Sequence, residues 1–317
     1  MAFDRPALVA HARDTIREGS KSFAAASRLF GRTTRERVWL LYAWCRRCDD
    51  LADAQELGGT LGDQAGAQDR LAEIRDLTAK AFAGQPTGDP CFDAFGLVAH
   101  ECGITPAMAE DVIAGFALDA DGWRPQSEGD MMRYCFHVAG AVGVMMAVVM
   151  GVPARREDIL DRACDLGLAF QLANIARDVA EDAEAGRCYL PAEWLAEKGI
   201  PESEIMAPRQ RPALAELAAR LVALSQQHEQ ASRIGAAQLG FRQRWAILSA
   251  AGIYGAIATE VGRRGEAAWD ERVHTSGRAK LGFVAKGLAA ALLRPPRMDA
   301  LPKWNRRQLA AMAREPG

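Results

Sequence analysis

The 317-residue sequence lacks runs of alternating β-branched residues, and its basic and acidic side chains nearly balance, 39 against 41. The first absence argues against a sheet and leaves a hydrophobic period near 3.6 almost everywhere, so the chain reads as all-α. The charge balance, a net −2, is not the footprint of a nucleic-acid-binding protein. Nor is there an apolar run of the ~18 to 20 residues needed to cross a bilayer. The most apolar stretch, Val138 to Val152, is shorter and broken by Gly140, Gly143 and Gly151. It reads as a buried helix whose small residues leave room for a ligand or for close packing. The opening Met1-Ala2-Phe3-Asp4-Arg5 has no basic segment leading into an apolar one, so no secretory signal is visible.

Cysteine is present but forms no framework. Seven scattered thiols, an odd number, fit a reducing cytoplasm. Cys45 and Cys48 spell a C-x-x-C inside a helical stretch with no second pair at zinc spacing, and read as structural. The five histidines do not cluster, and there is no Gly-rich dinucleotide turn, Walker sequence or nucleophile elbow. Nicotinamide, ATP and triad-hydrolase chemistry are therefore unsupported.

What the sequence does contain is two acidic runs far apart in the chain. One is Asp49-Asp50-Leu51-Ala52-Asp53; the other runs from Asn174 to Asp182. A helix advances ~100° per residue, so Asp49 and Asp53 share a face, as do Asp178 and Asp182. Two carboxylates ~6 Å apart at an effective dielectric of ~20 repel by roughly 2 to 3 kcal/mol, and a cation must offset this. Stepping back from Asp49 reaches Cys45, Tyr42 and Leu41, which places Asp49 on the apolar side. Leu166, Phe170, Asn174, Asp178 and Asp182 form one row running from greasy to acidic. Hard oxygen donors without histidine suit Mg²⁺ or Mn²⁺ carrying substrate phosphates. The competing reading is a solvated helix surface.

Helix signals accompany these runs. Thr33 with Glu36 predicts a capping box opening the first acidic helix. Thr105-Pro106 and Ser127 with Asp130 predict two further helix starts. Breaks are expected at Gly84 to Pro90, Asp121 to Gln126, Gly151 to Pro153, Gly186 to Pro212 and Arg294 to Pro302. With no Ser/Gly linker, residues 1–317 read as one domain, and the long irregular stretch after Asp182 reads as a lid. From about 278 to 317 the chain is basic and amphipathic, with Arg278, Lys280, Lys286, Arg294 and Arg297 interleaved with Leu281, Phe283, Val284, Leu288, Leu292 and Leu293. Two readings stand for it: a segment resting on an anionic membrane, or a terminal helix packed on the body by its Leu face.

Several segments, taken in order, resemble the squalene and phytoene synthase family. They are Ser20-Lys21-Ser22-Phe23, Tyr42 to Arg46 leading into Asp49 to Asp53, Tyr134 to Gly140, and Gln171 to Asp182 followed by Gly186-Arg187-Cys188-Tyr189-Leu190-Pro191. The nearest likeness is to its bacterial phytoene-forming branch. The resemblance implies a single-domain isoprenoid-synthase fold, with a central cavity between two Asp-rich helices. It also implies head-to-head condensation of two geranylgeranyl diphosphates, through prephytoene diphosphate, to 15-cis-phytoene. Mg²⁺ or Mn²⁺ would be held by Asp49, Asp53, Asn174, Asp178 and Asp182. Diphosphate would be contacted by Arg46, Arg177 and Arg272, with Ser20, Lys21 and Ser22 flanking it. For Arg46 an ion pair with Asp50 is an alternative, and Ser20 to Ser22 could simply cap a helix.

Phe23, Tyr42, Tyr134, Phe170 and Tyr254 would shield the allylic cation, each also readable as core; Gln171 belongs to the same substrate-binding motif. Asp49, Asp53, Asp178 and Asp182, with Tyr42 and Arg46, form the implied catalytic set. Phe136 and Ala141 depart from residues common at their positions, which leaves chain length open. The rivals are a dehydrosqualene or squalene synthase acting on farnesyl diphosphate, and a noncatalytic helical assembly factor of the same fold. No NADPH is expected. Peripheral membrane contact and downstream carotenoid enzymes are the remaining expected partners.

Overall fold

The computed structural model describes residues 4–57, 62–63, 65–293, 298 and 300–314, the side chain of Ser22 excepted. Among the described residues there is no strand, and all regular structure is helical. Contacts divide the chain into two compact units, Met1–Asp121 with Val144–Leu160, and Gly122–Gly143 with Asp161–Gly317.

The first unit begins with α1 (Arg5–Gly19), α2 (Lys21–Ser27) and α3 (Arg32–Ala52), followed by α4 (Ala67–Phe82), α5 (Pro90–Cys102) and α6 (Pro106–Ala120). Side-chain caps set several starts: Ser20 accepts from Phe23 N–H, Asp89 from Cys91 N–H ahead of Pro90, and Thr105 from Met108 N–H ahead of Pro106. The capping box expected at Thr33 and Glu36 is not formed. α3 starts two residues earlier, capped at Gly31 with no side-chain bond, and Glu36 instead binds Arg5 at 2.6 Å and Arg32 at 2.8 Å. A pair of strong guanidinium partners outcompetes a single backbone N–H. Beneath α3, Trp44 is fully buried, stacked on Phe95 at 4.2 Å, with its indole N–H donated to Thr78 Oγ1. Burying a ring of this size contributes about 2 to 3 kcal/mol and fixes the rotation of α3.

The second unit opens with α7 (Glu128–Cys135), whose Ser127–Asp130 capping box forms as expected. A π-helical turn, Phe136–Gly140, then leads into α8 (Ala141–Val149). Of the two readings of this stretch, close packing is the one formed at Gly143. A Cβ on Gly143 would lie 2.4 Å from the Ala163 carbonyl oxygen, and one on Gly167 2.2 Å from that of Ala139, so these glycines serve helix-to-helix contact. Residues 163 and 167 lie on α9 (Glu157–Glu184), the long helix carrying the second acidic run. A buried His228 Nδ1 to Asp165 Oδ1 contact at 2.7 Å and a Ser225 hydroxyl donated to Ala169 O tie α9 to α11 (Arg211–Ala236).

The irregular stretch after Asp182 is more ordered than expected: it contains α10 (Ala192–Lys198) and two short 3₁₀ turns. The unit is completed by α12 (Phe241–Arg264), α13 (Gly277–Leu292) and α14 (Arg306–Met312). α13 packs on α12 through Gly287 against Ser249, Phe283 against Gly252, and the Val284 carbonyl, which accepts from the Trp245 indole. The packing face is thus made by small residues and Phe283. Leu281 and Leu292 are each 72% exposed and Leu293 65%, so these leucines point out and do not pack on the body as one of the two readings had it. Arg294, Arg297, Asp299 and Glu315 of the basic segment lie outside the described residues. No stretch was expected to reach membrane-spanning length, yet Glu128–Val149 and Phe241–Trp269 each do so by length and composition; 67% and 50% of their most apolar windows are buried within the protein.

Candidate active site

In the first unit, Tyr42, Arg46 and Asp49 follow one another along α3, and Asp53 is the first residue beyond it, at φ −89°. Both aspartates were expected inside the helix. Asp53 N–H still donates to Asp49 O at 3.0 Å, so the helical progression, and with it the shared face, survives one more step. Asp50 is the most deeply buried carboxylate of the run, and Asp49 is half-buried. Asp50 is 6% exposed and accepts from Leu57 N–H, which organises the turn after α3. That turn holds Ala54 at φ +51° and Leu57 at φ +50°, a left-handed backbone costing about 1 kcal/mol or more per non-glycine residue. Asp53 O accepts from Gly62 N–H, and a Cβ there would meet Ala54 O at 2.1 Å, so only glycine fits.

Arg46 Nη1 donates to Asp49 Oδ2 at 2.5 Å and stands 3.9 Å from Asp50 Oδ1. Its principal partner is therefore Asp49, one residue short of the i, i+4 alternative. Gln55, which the sequence reading missed, donates to the same oxygen at 3.3 Å. Burial pushes the Asp49 carboxyl up to about 6; Arg46 opposes this, and the charges of Asp53, Asp50 and Asp119 add to it. Carboxylate crowding is thus real but secondary. The Tyr42 hydroxyl is buried beside the Arg46 guanidinium, and its ring lies 6.2 Å from Phe23. Gly19 makes room for it, since a Cβ there would sit 2.7 Å from the hydroxyl. Ser20 Oγ serves as the α2 cap, Lys21 is exposed, and the Ser22 side chain lies outside the described residues.

In the second unit, the row along α9 follows the expected gradient. Leu166 is buried, Phe170 stacks on Tyr254 at 4.0 Å, and Asn174, Asp178 and Asp182 are half-buried. Asn174 donates to Gln171 Oε1 at 3.4 Å, while its own Oδ1 is buried and unpartnered. Asp178 accepts from Arg177 Nε at 2.6 Å and from Arg272 Nε at 3.0 Å. Burial would raise its carboxyl, but Arg177 and Arg272 outweigh that and hold it below the ordinary range. Two guanidiniums implicated in diphosphate contact are therefore engaged with the carboxylate between them.

Asp182 lines a small recess with Ile175, Val179, Arg187, Cys188, Tyr189, Leu190 and Ile205. Tyr134, buried, lies between two parallel rings, Tyr189 at 4.7 Å and Trp123 at 5.9 Å. Trp123 carried no sequence signal beyond its place in a break, because only folding stacks it on Tyr134.

Among the described residues no group of three or more His, Cys, Asp or Glu side chains is arranged to hold a metal ion. The donor chemistry nonetheless fits Mg²⁺ or Mn²⁺: each acidic face offers two aspartates, and the second adds the orphaned Asn174 oxygen. Ions that keep several waters and take the remaining ligands from phosphate need no more protein oxygens than this.

The squalene/phytoene synthase profile matches residues 16–279. The phytoene synthase of Pseudescherichia vulneris is 48% identical over 88% of this chain and 91% of its own. The 15-cis-phytoene synthase of Pantoea ananas is 44% identical over 96% and 99%. Among solved structures, a dehydrosqualene synthase in complex with a ligand matches with TM-score 0.80 and 27% identity, over 90% of this chain and 97% of that one. With its helices, its acidic faces and its sequence in accord over most of its length, the chain belongs to the squalene/phytoene synthase family.

Proposed function

We propose that the protein is a prenyltransferase that condenses two geranylgeranyl diphosphates head to head, through prephytoene diphosphate, to 15-cis-phytoene, in carotenoid biosynthesis. The observation carrying this reading is the end-to-end similarity to proteins named phytoene synthase, joined to two acidic faces each backed by arginine. Mg²⁺ or Mn²⁺, held by Asp49, Asp53, Asn174, Asp178 and Asp182, would supply the Lewis acidity that makes diphosphate a leaving group. Arg177 and Arg272, already beside Asp178, can turn their forks to phosphate oxygens, and Arg46 can do so from Asp49. Tyr134 and the Phe170–Tyr254 pair offer π faces to an allylic cation and exclude water from it. The reading calls for no nicotinamide. It has the enzyme act in the cytoplasm, with α13 touching the membrane through Leu281, Leu292 and Leu293 between Arg278, Lys280 and Lys286.

The test is to incubate purified protein with Mg²⁺ and either geranylgeranyl or farnesyl diphosphate and identify the hydrocarbon. Phytoene from the first, without NADPH, is expected. A C30 product alone would favour the farnesyl reading, which the likeness to a dehydrosqualene synthase supports. No product from either would leave the noncatalytic reading.

A further inference from the structure

The loop that leaves Asp182 is held near its start by Arg124 and near its far end by Tyr134, on which Trp123 stacks. Arg187 N–H donates to Asp182 O at 2.7 Å, so the loop departs directly from the acidic end of α9. Gly186, at φ +68°, turns the chain, and its carbonyl accepts from Nη2 of Arg124. The same guanidinium donates through Nη1 to Gly122 O and Trp123 O, at 3.3 and 3.1 Å, and through Nε to Glu202 Oε1 at 3.0 Å. One planar fork thus joins the 122–124 turn, the loop and the 3₁₀ turn at 202–204. At the far end Tyr189 stacks on Tyr134, which stacks on Trp123. Beyond it, Ala192 N–H donates to Pro125 O and Glu193 N–H to Gln126 O, which continues the seam.

The Arg124 side chain is 31% exposed, and as a surface ion pair alone its bond to Glu202 would contribute little. Its effect is geometric. Several donors of fixed relative direction meet acceptors on three segments, which a single ammonium cannot reproduce. We infer that Arg124 is a positioning residue for prenyl transfer: its guanidinium fixes the 186–191 loop so that Arg187 and Tyr189 stand beside Asp182. The inference rests on reading the Asp178–Asp182 face as the diphosphate site, where a misplacement of about 1 Å costs up to ~10²-fold in rate.

Arg124→Ala and Arg124→Lys are compared with wild type and with Arg156→Ala, which removes a surface pair with Asp158. Both Arg124 variants are expected to lose about tenfold or more in kcat for geranylgeranyl diphosphate, with KM changed less than about threefold. Trypsin supplies a readout independent of activity. It cuts after Arg187, and the Arg124–Pro125 bond is not a trypsin site, so the substitution removes no competing cut. Cleavage at Arg187 should accelerate about tenfold in both variants, relative to other cuts in the same digest, with little change in Tm. An unchanged rate at Arg187 overturns the inference, as does uniform acceleration of all cuts with a lowered Tm, which would make Arg124 merely structural. A wild-type protein inert toward every prenyl diphosphate overturns the functional reading instead, while the proteolysis alone still decides whether Arg124 holds the loop.

Discussion

Asp49 and Asp178 carry the same carboxylate into opposite electrostatic settings. Burial lifts Asp49 to about 6, so the fold favours its protonated form. The resulting penalty is absent below the ordinary carboxylate range, grows as pH rises toward 6 and is complete above it. Its side chain is 39% exposed, and with solvent screening the penalty is about 1 kcal/mol. Asp49→Asn should therefore unfold at higher urea than wild type at pH 7.5 in metal-free buffer, with the gain shrinking toward pH 4.5. A variant less stable than wild type at pH 7.5 would refute this. For Asp178 the sign reverses. Arg177 and Arg272 depress it, so its contribution is present above the ordinary range and lost as pH falls through the depressed value. Relief of like-charge crowding would let both Asp→Asn substitutions leave folding intact; that holds only at Asp49, where the Arg46 pair does not outweigh burial as Arg177 and Arg272 do at Asp178. Asp178→Asn should lose stability at neutral pH and, in the assay with Mg²⁺, about 10² to 10³-fold in kcat. A near-normal kcat would remove Asp178 from the metal-binding set.

At the scale of elements, the close approach of α9 to the Phe136–Gly140 turn and α8 depends on glycine. The nearest atoms to a Cβ on Gly167 are backbone, Ala139 O at 2.2 Å and Gly140 Cα at 2.8 Å, so no side chain can move aside. Gly167→Ala is expected to cost about 1 to 3 kcal/mol in urea unfolding. Gly282→Ala on α13, whose Cβ would meet nothing within 4 Å, should be neutral or mildly stabilising through helix propensity. Equal costs at the two positions would contradict the packing described. The helix starts at Thr105 and Ser127 were legible because cap and first turn are neighbours in sequence. The one at Thr33 misled because the competing partner of Glu36, Arg5, comes from α1.

For the whole molecule, a net charge of −2 conceals an uneven distribution, with the cations of Arg278, Lys280 and Lys286 gathered beside Leu281, Leu292 and Leu293. Anionic vesicles should bind the protein in a flotation assay and neutral ones much less, with binding weakened by salt. Lys280→Glu with Lys286→Glu should abolish that preference. Equal flotation with both vesicle types would oppose the membrane contact.

The sequence by itself determined the helical class, most of the breaks, the two acidic runs and the greasy-to-acidic row of α9, because each depends on periods and spacings of a few residues. Tertiary structure alone decided which carboxylate is most deeply buried, Asp50 more than Asp49, and which cations Asp178 holds, Arg272 coming from far along the chain. It also decided that Gly143 and Gly167 serve helix contact, that Leu281 faces outward, and that Arg124 and Tyr134 hold the loop after Asp182. Local propensity acts through bonds within one or two helical turns. Burial, ion-pair choice and close approach depend on atoms that only folding brings together, so no local pattern encodes them.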